Sequence, residues 1–131
     1  MEEEKNVSMN TADSPAKPLI ASDRVEGTAI YNQDGRHLGT IKRLMIEKVS
    51  GTVVYAVVSF GGLLGMGETC TVPWAKLRYD RKLGGYRTDI TEAELRGAPS
   101  YVRGGTNEGP SPEQEDELHA YFRIPPDIRA I

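Results

Sequence analysis

The stretch Thr52–Phe60, read Thr-Val-Val-Tyr-Ala-Val-Val-Ser-Phe, constrains this chain more than any other. Its β-branched and aromatic residues suit the pleated, half-buried surface of a β-strand. Both faces are apolar: Val54, Ala56, Val58 and Phe60 on one, Val53, Tyr55 and Val57 on the other. A strand covered on both faces is central to its sheet. Something must therefore pack outside it as well as inside, either the C-terminal helix of the same chain or a second copy of the protein.

Turn signals recur at short spacing on both sides, the mark of an antiparallel meander. Asp34-Gly35 closes a hairpin behind a first strand at Thr28–Tyr31, because Gly accepts positive φ and Asp tolerates it. The next strand, about Leu38–Val49, is long, and its alternation slips phase: Gly39 and Ile41 fall on one face, Leu44 and Ile46 on the other. The slip predicts a bulge near Lys42-Arg43, bending the strand where a small barrel closes. Ser50-Gly51 turns the chain into the central strand. The glycine-rich run Gly61–Gly67 must be a loop. Thr69–Trp74 follows as a short strand, which Pro73 places at an edge or a strand end. Leu77–Asp80 and Tyr86–Ile90 make a last hairpin around Gly84-Gly85.

The flanks read differently. Residues 1–18 are polar, with two prolines and only Val7 and Met9 as larger apolar residues, and cannot recover the entropy of ordering. They are expected to form a disordered tail. The folded part opens near Leu19-Ile20, with Ser22 or Asp23 capping a short turn. Thr91-Glu92-Ala93-Glu94 matches a capping box, opening a short helix that Gly97 and Pro99 end. After a Gly-rich linker, Tyr101–Pro110, Ser111-Pro112-Glu113-Gln114 opens a second helix with cap, first-turn proline and third-position glutamine in order. Leu118, Tyr121 and Phe122 give it one apolar stripe, and Pro125-Pro126 ends it. The expected organisation is a tail over 1–18, a β-domain over 19–96, and a linker with helical extension over 97–131.

Charge and cysteine content narrow the function. With 16 basic and 19 acidic residues the net charge is −3, which argues against general nucleic-acid binding, since that leans on neutralising phosphates. The single cysteine, Cys70, can form no internal disulfide, in keeping with a reducing cytoplasm. Met1-Glu2-Glu3-Glu4 is acidic where a signal peptide is basic, and no apolar core follows it. The longest apolar run, Val53–Val58, is far short of the roughly 20 residues that span a bilayer. A cytoplasmic protein with no membrane span is expected.

Several ordered motifs together resemble a known family. They are Gly39-x-Ile41; Gly51-x-Val53-x-Tyr55-Ala56-Val57-Val58-Ser59-Phe60-Gly61-Gly62; Leu64-Gly65-x-Gly67-Glu68; and Val72-Pro73-Trp74-x-x-Leu77. Over roughly residues 19–96 the chain looks like the PRC-barrel domain. That family is named for the cytoplasmic part of the photosynthetic reaction-centre H subunit, and its fold also occurs in a small-subunit ribosome maturation factor. Tyr121-Phe122-x-Ile124-Pro125-Pro126 is similar to the tail of stand-alone bacterial members. The resemblance implies a mainly β protein: a small, highly bent, antiparallel six-stranded β-barrel, here with short C-terminal helices. It implies no reaction, and one scaffold serves unrelated tasks.

Gly62–Thr69 has the spacing of a phosphate-binding loop, but Glu68 stands where the lysine belongs and a strand follows instead of a helix. His37 and His119 have no metal-ligand spacing, and Cys70 adds no pair. Cys70 lies inside a predicted strand, where a buried, inert thiol is the commoner case. Glu92, Glu94, Glu113, Glu115, Asp116 and Glu117 fall in or near helix starts, where they favour the macrodipole and solubility. Lys42, Arg43, Lys48, Lys76, Arg78, Arg81, Lys82 and Arg87, with Tyr79 and Tyr86, concentrate positive charge on the β-domain and define an RNA-contacting alternative. No catalytic, cofactor-binding or metal residue is expected, and no cofactor. The expected function is a non-catalytic protein-interaction module, homodimeric and with an unidentified protein partner; the alternative is an RNA- or ribosome-associated factor. The expected interface comprises Leu63, Leu64 and Met66 of the loop with Leu118, Tyr121 and Phe122 of the last helix, since an apolar patch of this kind marks an interaction site.

Overall fold

The computed structural model describes residues 18–61, 67–103 and 109–125. Nearly all of the expected tail, the centre of the glycine-rich loop, part of the linker, and Pro126 lie outside the described residues. Six strands form one sheet: β1 (Ala29–Tyr31), β2 (His37–Ile46), β3 (Val53–Phe60), β4 (Glu68–Pro73), β5 (Arg78–Asp80) and β6 (Gly85–Arg87). A 3₁₀ turn, Trp74–Lys76, joins β4 to β5. Three short helices flank the sheet: α1 (Ser22–Val25), α2 (Glu92–Arg96) and α3 (Pro112–Tyr121).

The sheet order is β4-β3-β2-β1-β6-β5. Strands β1 to β4 form the expected antiparallel meander, and β5–β6 the expected hairpin. The expectation of a wholly antiparallel, closed barrel is corrected: β6 runs parallel to β1, pairing Ile30 with Tyr86 and Tyr31 with Arg87. The sheet is mixed, and among the described residues hydrogen bonding does not close it. Parallel neighbours need a long crossover, and here everything from β2 to β5 supplies it. Gly85 permits the approach, since a Cβ there would lie 2.5 Å from the Ala29 carbonyl oxygen. The outer edge of β4 is taken by a returning strap rather than by β5: the Thr71 amide donates to the Val102 carbonyl at 2.8 Å, and Cys70 bridges to Arg103.

Local chemistry accounts for the bends. The β2–β3 register shifts between Ile41 and Arg43, the bulge that the phase slip predicts, and again between Met45 and Ile46. At the first hairpin Gly35 sits at φ +83, and the Asn32 carboxamide oxygen accepts from the Asp34 and Arg36 amides, each at 2.9 Å. Both predicted capping boxes are formed, Thr91 with Glu94 and Ser111 with Gln114. The predicted cap of α1 is not: Ala21 occupies the N-cap position, and Ser22 begins the helix itself. Asp23 falls in the first turn, where its charge suits the helix dipole.

Helix α3 covers the Tyr55 face of β3 within the same chain. The Tyr55 hydroxyl donates to the Glu115 carboxylate at 2.7 Å, and its ring lies 5.9 Å from that of His119. Leu118 and Phe122 are fully buried and join Ala98, Val102, Ile30, Ile41, Phe60 and Val72 in one core. α3 ends in a Schellman motif, the Arg123 amide donating to Ala120 and the Ile124 amide to His119. The left-handed position usually given to glycine is held by Arg123 at φ 64, and ion pairs to Glu94 and Asp89 hold its side chain.

Candidate interaction surfaces

The 3₁₀ turn, the β5–β6 hairpin and the β1–β2 turn surround a cleft of about 200 Å³, lined chiefly by Gln33, Lys76, Arg78, Arg87, Thr88 and Asp89. The register pairs Arg78 with Arg87 directly across the hairpin. Arg87 donates twice to the Asp80 carboxylate, at 3.0 and 3.1 Å, and once to the Gln33 carbonyl at 2.8 Å, tying one hairpin to the other. Asp80 also accepts from the Lys82 and Leu83 amides. The Leu83 amide first, then Arg87, hold its carboxyl below the usual range. Lys76 pairs with Asp89 at 2.9 Å, and Arg123 approaches the same carboxylate at 3.5 Å. Burial pushes the Asp89 pKa up, but Lys76 and Arg123 together outweigh it and leave the carboxyl below its ordinary value. Arg78 is exposed and makes no ion pair among the described residues.

A second surface is the tip of the β2–β3 hairpin. Val49 is 93% exposed and Ile46 51% exposed. The turn that carries them is closed by hydrogen bonds: the Glu47 amide to the Thr52 carbonyl, the Gly51 amide to the Glu47 carbonyl, and the Ser50 amide to the Glu47 carboxylate at 2.7 Å. Gly51, at φ +76, completes the reversal. The Ser50 amide holds the Glu47 carboxyl below its ordinary pKa.

The third surface is the base of the glycine-rich loop. Arg96 reaches Glu92 at 2.6 Å and Glu68 at 3.0 Å, with its guanidinium 5.6 Å above the Phe60 ring centroid. Glu68 opens β4, so the loop leads into a strand, and its carboxylate is committed to Arg96. Gly62 to Met66 lie outside the described residues, and with them the interface candidates Leu63, Leu64 and Met66.

The helix candidates have a definite place. Leu118 and Phe122 sit in the core of their own chain, and Tyr121 is half-buried, donating its hydroxyl to the Glu94 carbonyl at 2.7 Å. In this packing the three form the seam between α3 and the domain it covers. Of the basic residues singled out in the sequence, Lys76, Arg78 and Arg87 converge on the cleft. Lys42 and Arg43 lie on β2 and Lys48 in the turn after it, while Arg81 and Lys82 occupy the β5–β6 turn. Tyr86 is buried, its ring 5.2 Å from Tyr79 and 5.3 Å from Trp74.

Cys70 is fully buried, and burial pushes its thiol up to about 12, so it stays protonated and unreactive at neutral pH. His119 Nδ1 lies 2.6 Å from the Glu115 carbonyl, and His37 packs edge-on against Tyr31. Among the described residues no three His, Cys, Asp or Glu side chains converge as a metal site needs. Sequence reasoning missed Gln33, Asp80, Thr88 and Asp89 in and beside the cleft. Only the Asp80–Arg87 pair left a readable signal, as opposite charges flanking a predicted glycine turn.

Among the described residues no helix is long and apolar enough to cross a membrane. No curated protein matches the sequence. The model of the PRC-barrel domain matches residues 18–95, more than half of the chain and the whole of the six-stranded sheet. On that match the chain belongs to the PRC-barrel domain family.

Proposed function

We propose that this chain is a non-catalytic protein-interaction module that docks on a protein partner. The observation that carries the proposal is the β2–β3 tip, where Ile46 and Val49 are held out to solvent by a turn already closed by hydrogen bonds. Covering such residues returns roughly 25 cal/mol per Å² of apolar surface, and a turn already ordered loses little entropy on binding. The burial of Cys70 and the commitment of Tyr55 and His119 to α3 support a reading without catalysis. The Tyr86 ring is buried against Tyr79 and Trp74, which favours a protein partner over an RNA whose bases would stack on exposed rings. We extend the proposal to self-association through Leu63, Leu64 and Met66, because Leu118 and Phe122 are spent on the chain's own core.

The test is affinity capture from the native cell, with wild type beside an Ile46→Ser/Val49→Ser variant. A protein retained by the wild type and lost by the variant is expected, with no excess absorbance at 260 nm. Nucleic acid co-purifying with both proteins would point to the ribosome-associated alternative instead.

A further inference from the structure

We infer that the cleft between the 3₁₀ turn and the β5–β6 hairpin recognises a single carboxylate side chain, presented by an acidic segment of a protein partner. The inference rests on the docking function proposed above and gives it a second contact with a stated chemistry.

Charge balance selects the ligand. Lys76, Arg78 and Arg87 face the cleft, and Asp89 and Asp80 neutralise two of them. One positive charge is left over, and it resides on Arg78. A monoanion matches that excess. A dianionic phosphate would overfill it and would lie against the Asp89 carboxylate, where like charges repel. The chain as a whole carries −3, so an acidic partner is repelled by most of the surface and attracted here, an arrangement that sets orientation and specificity.

Geometry supports the same ligand. Arg87 is pinned by its bonds to Asp80 and Gln33, and the Lys76 side chain is only 12% exposed, so two walls of the cleft are fixed before binding. Arg78 is free to offer its planar fork, which suits a carboxylate bidentately. About 200 Å³ is below the range of cofactor pockets, roughly 300–1,000 Å³, and suits a side-chain-sized group. β5 is also an edge of the sheet, so an extended segment passing the cleft would find backbone groups to pair with.

The test is a ¹⁵N–¹H NMR titration of the whole chain with hexaglutamate, beside hexaglutamine and inorganic phosphate. Hexaglutamate is expected to shift the amides of Gln33, Lys76, Arg78, Thr88 and Asp89 saturably, and hexaglutamine to leave them in place. Arg78→Gln should weaken the binding about fivefold, the scale of one charge-assisted contact at a partly exposed site. Lys42→Gln, an exposed cation on β2, should leave it unchanged, and melting curves should show both variants folded. Equal weakening by Lys42→Gln would reveal diffuse attraction and overturn the site. Phosphate shifting the same amides as strongly would overturn the carboxylate assignment. Absent cleft shifts alongside a capture that still depends on Ile46 and Val49 would sink this inference and leave the docking function standing. Cleft shifts without that capture would do the reverse.

Discussion

The two hairpins on either side of β1 are held by opposite means. β2 and β3 run for ten and eight residues, and most of their apolar side chains, Ile41, Tyr55, Ala56, Val58 and Phe60 among them, are buried in the core, with Ile46 at the tip left exposed. β5 and β6 have three residues each, and the cross-strand pair Arg78–Arg87 is like-charged, which by itself opposes pairing. Asp80 offsets that repulsion by clamping Arg87. Where the chain buries apolar surface it fills its space. Where it relies on charge, it leaves a polar cleft. The β5–β6 hairpin still sends Tyr86 into the core, against Tyr79 and Trp74, and sets its charged pairs around the cleft beside it.

The hardest test of this contrast is Phe122→Ala. Phe122 is fully buried and lies well beyond the end of the family match at residue 95, yet it belongs to the same core as Phe60 and Val72. Removing its ring should cost about 3–5 kcal/mol in a urea titration followed by Trp74 fluorescence. A loss below about 1 kcal/mol would mean that α3 is an accessory and that the apolar hairpin is sealed some other way.

What could be read in advance was local. The capping boxes at Thr91 and Ser111, the bulge at Lys42 and the turns at Gly35, Gly51 and Gly84 each depend on a few adjacent residues. The parallel β1–β6 contact depends on segments more than fifty positions apart, and nothing in Gly85-Tyr86-Arg87 announces which edge they join. Arg123 carries no mark of a left-handed cap, because its conformation is fixed by the helix end and by Glu94 and Asp89. The cleft was illegible for the same reason. Its lining comes from Gln33, the 3₁₀ turn and the end of β6, which only the fold assembles.

A smaller effect is expected from Tyr55→Phe, which removes the hydroxyl that ties β3 to Glu115. The loss should be about 1–2 kcal/mol, as for a half-buried hydrogen bond to a charged group. Burial first, then Glu115, raise the Tyr55 pKa well above its ordinary value. The folded state therefore keeps its proton after the unfolded chain, at about 10, has begun to release it. This contribution to stability is full below pH 10 and declines as pH rises toward the folded value. The variant should lose part of the alkaline decline above pH 10 and keep the part due to Cys70, which begins near 8.5. An unchanged alkaline profile would show that the hydroxyl is not held as described.

On the charged side, Asp80→Asn should lower the melting temperature modestly at pH 7. Because the Asp80 pKa is lowered in the folded state, its contribution is present above the unfolded value of about 3.9 and lost as pH falls through the folded one. The wild type should thus lose more stability than the variant between pH 5 and pH 2. Identical acid profiles would break the claim that charge holds the β5–β6 hairpin.

The least effect on stability is expected from Leu63→Ser with Leu64→Ser, in the loop that belongs to neither hairpin. One motive for a dimer, the two apolar faces of β3, is met inside the chain by α3. The other is the loop's run of Leu63, Leu64 and Met66 with no polar residue before Glu68. The base of that loop is braced by Arg96 between Glu68 and Glu92, so the substitutions leave the anchoring contacts in place. A docking contact outside the core is expected to cost no more than about 0.5 kcal/mol when replaced, so the melting temperature should move little. If the proposed self-association runs through the loop, light scattering should report a monomer for the variant and a dimer for the wild type. A dimer that persists would move the contact elsewhere, with Ile46 and Val49 the next residues to substitute. An unfolded variant would show that Leu63 and Leu64 belong to the core, and the apolar side of the comparison would then extend past β3 into the loop.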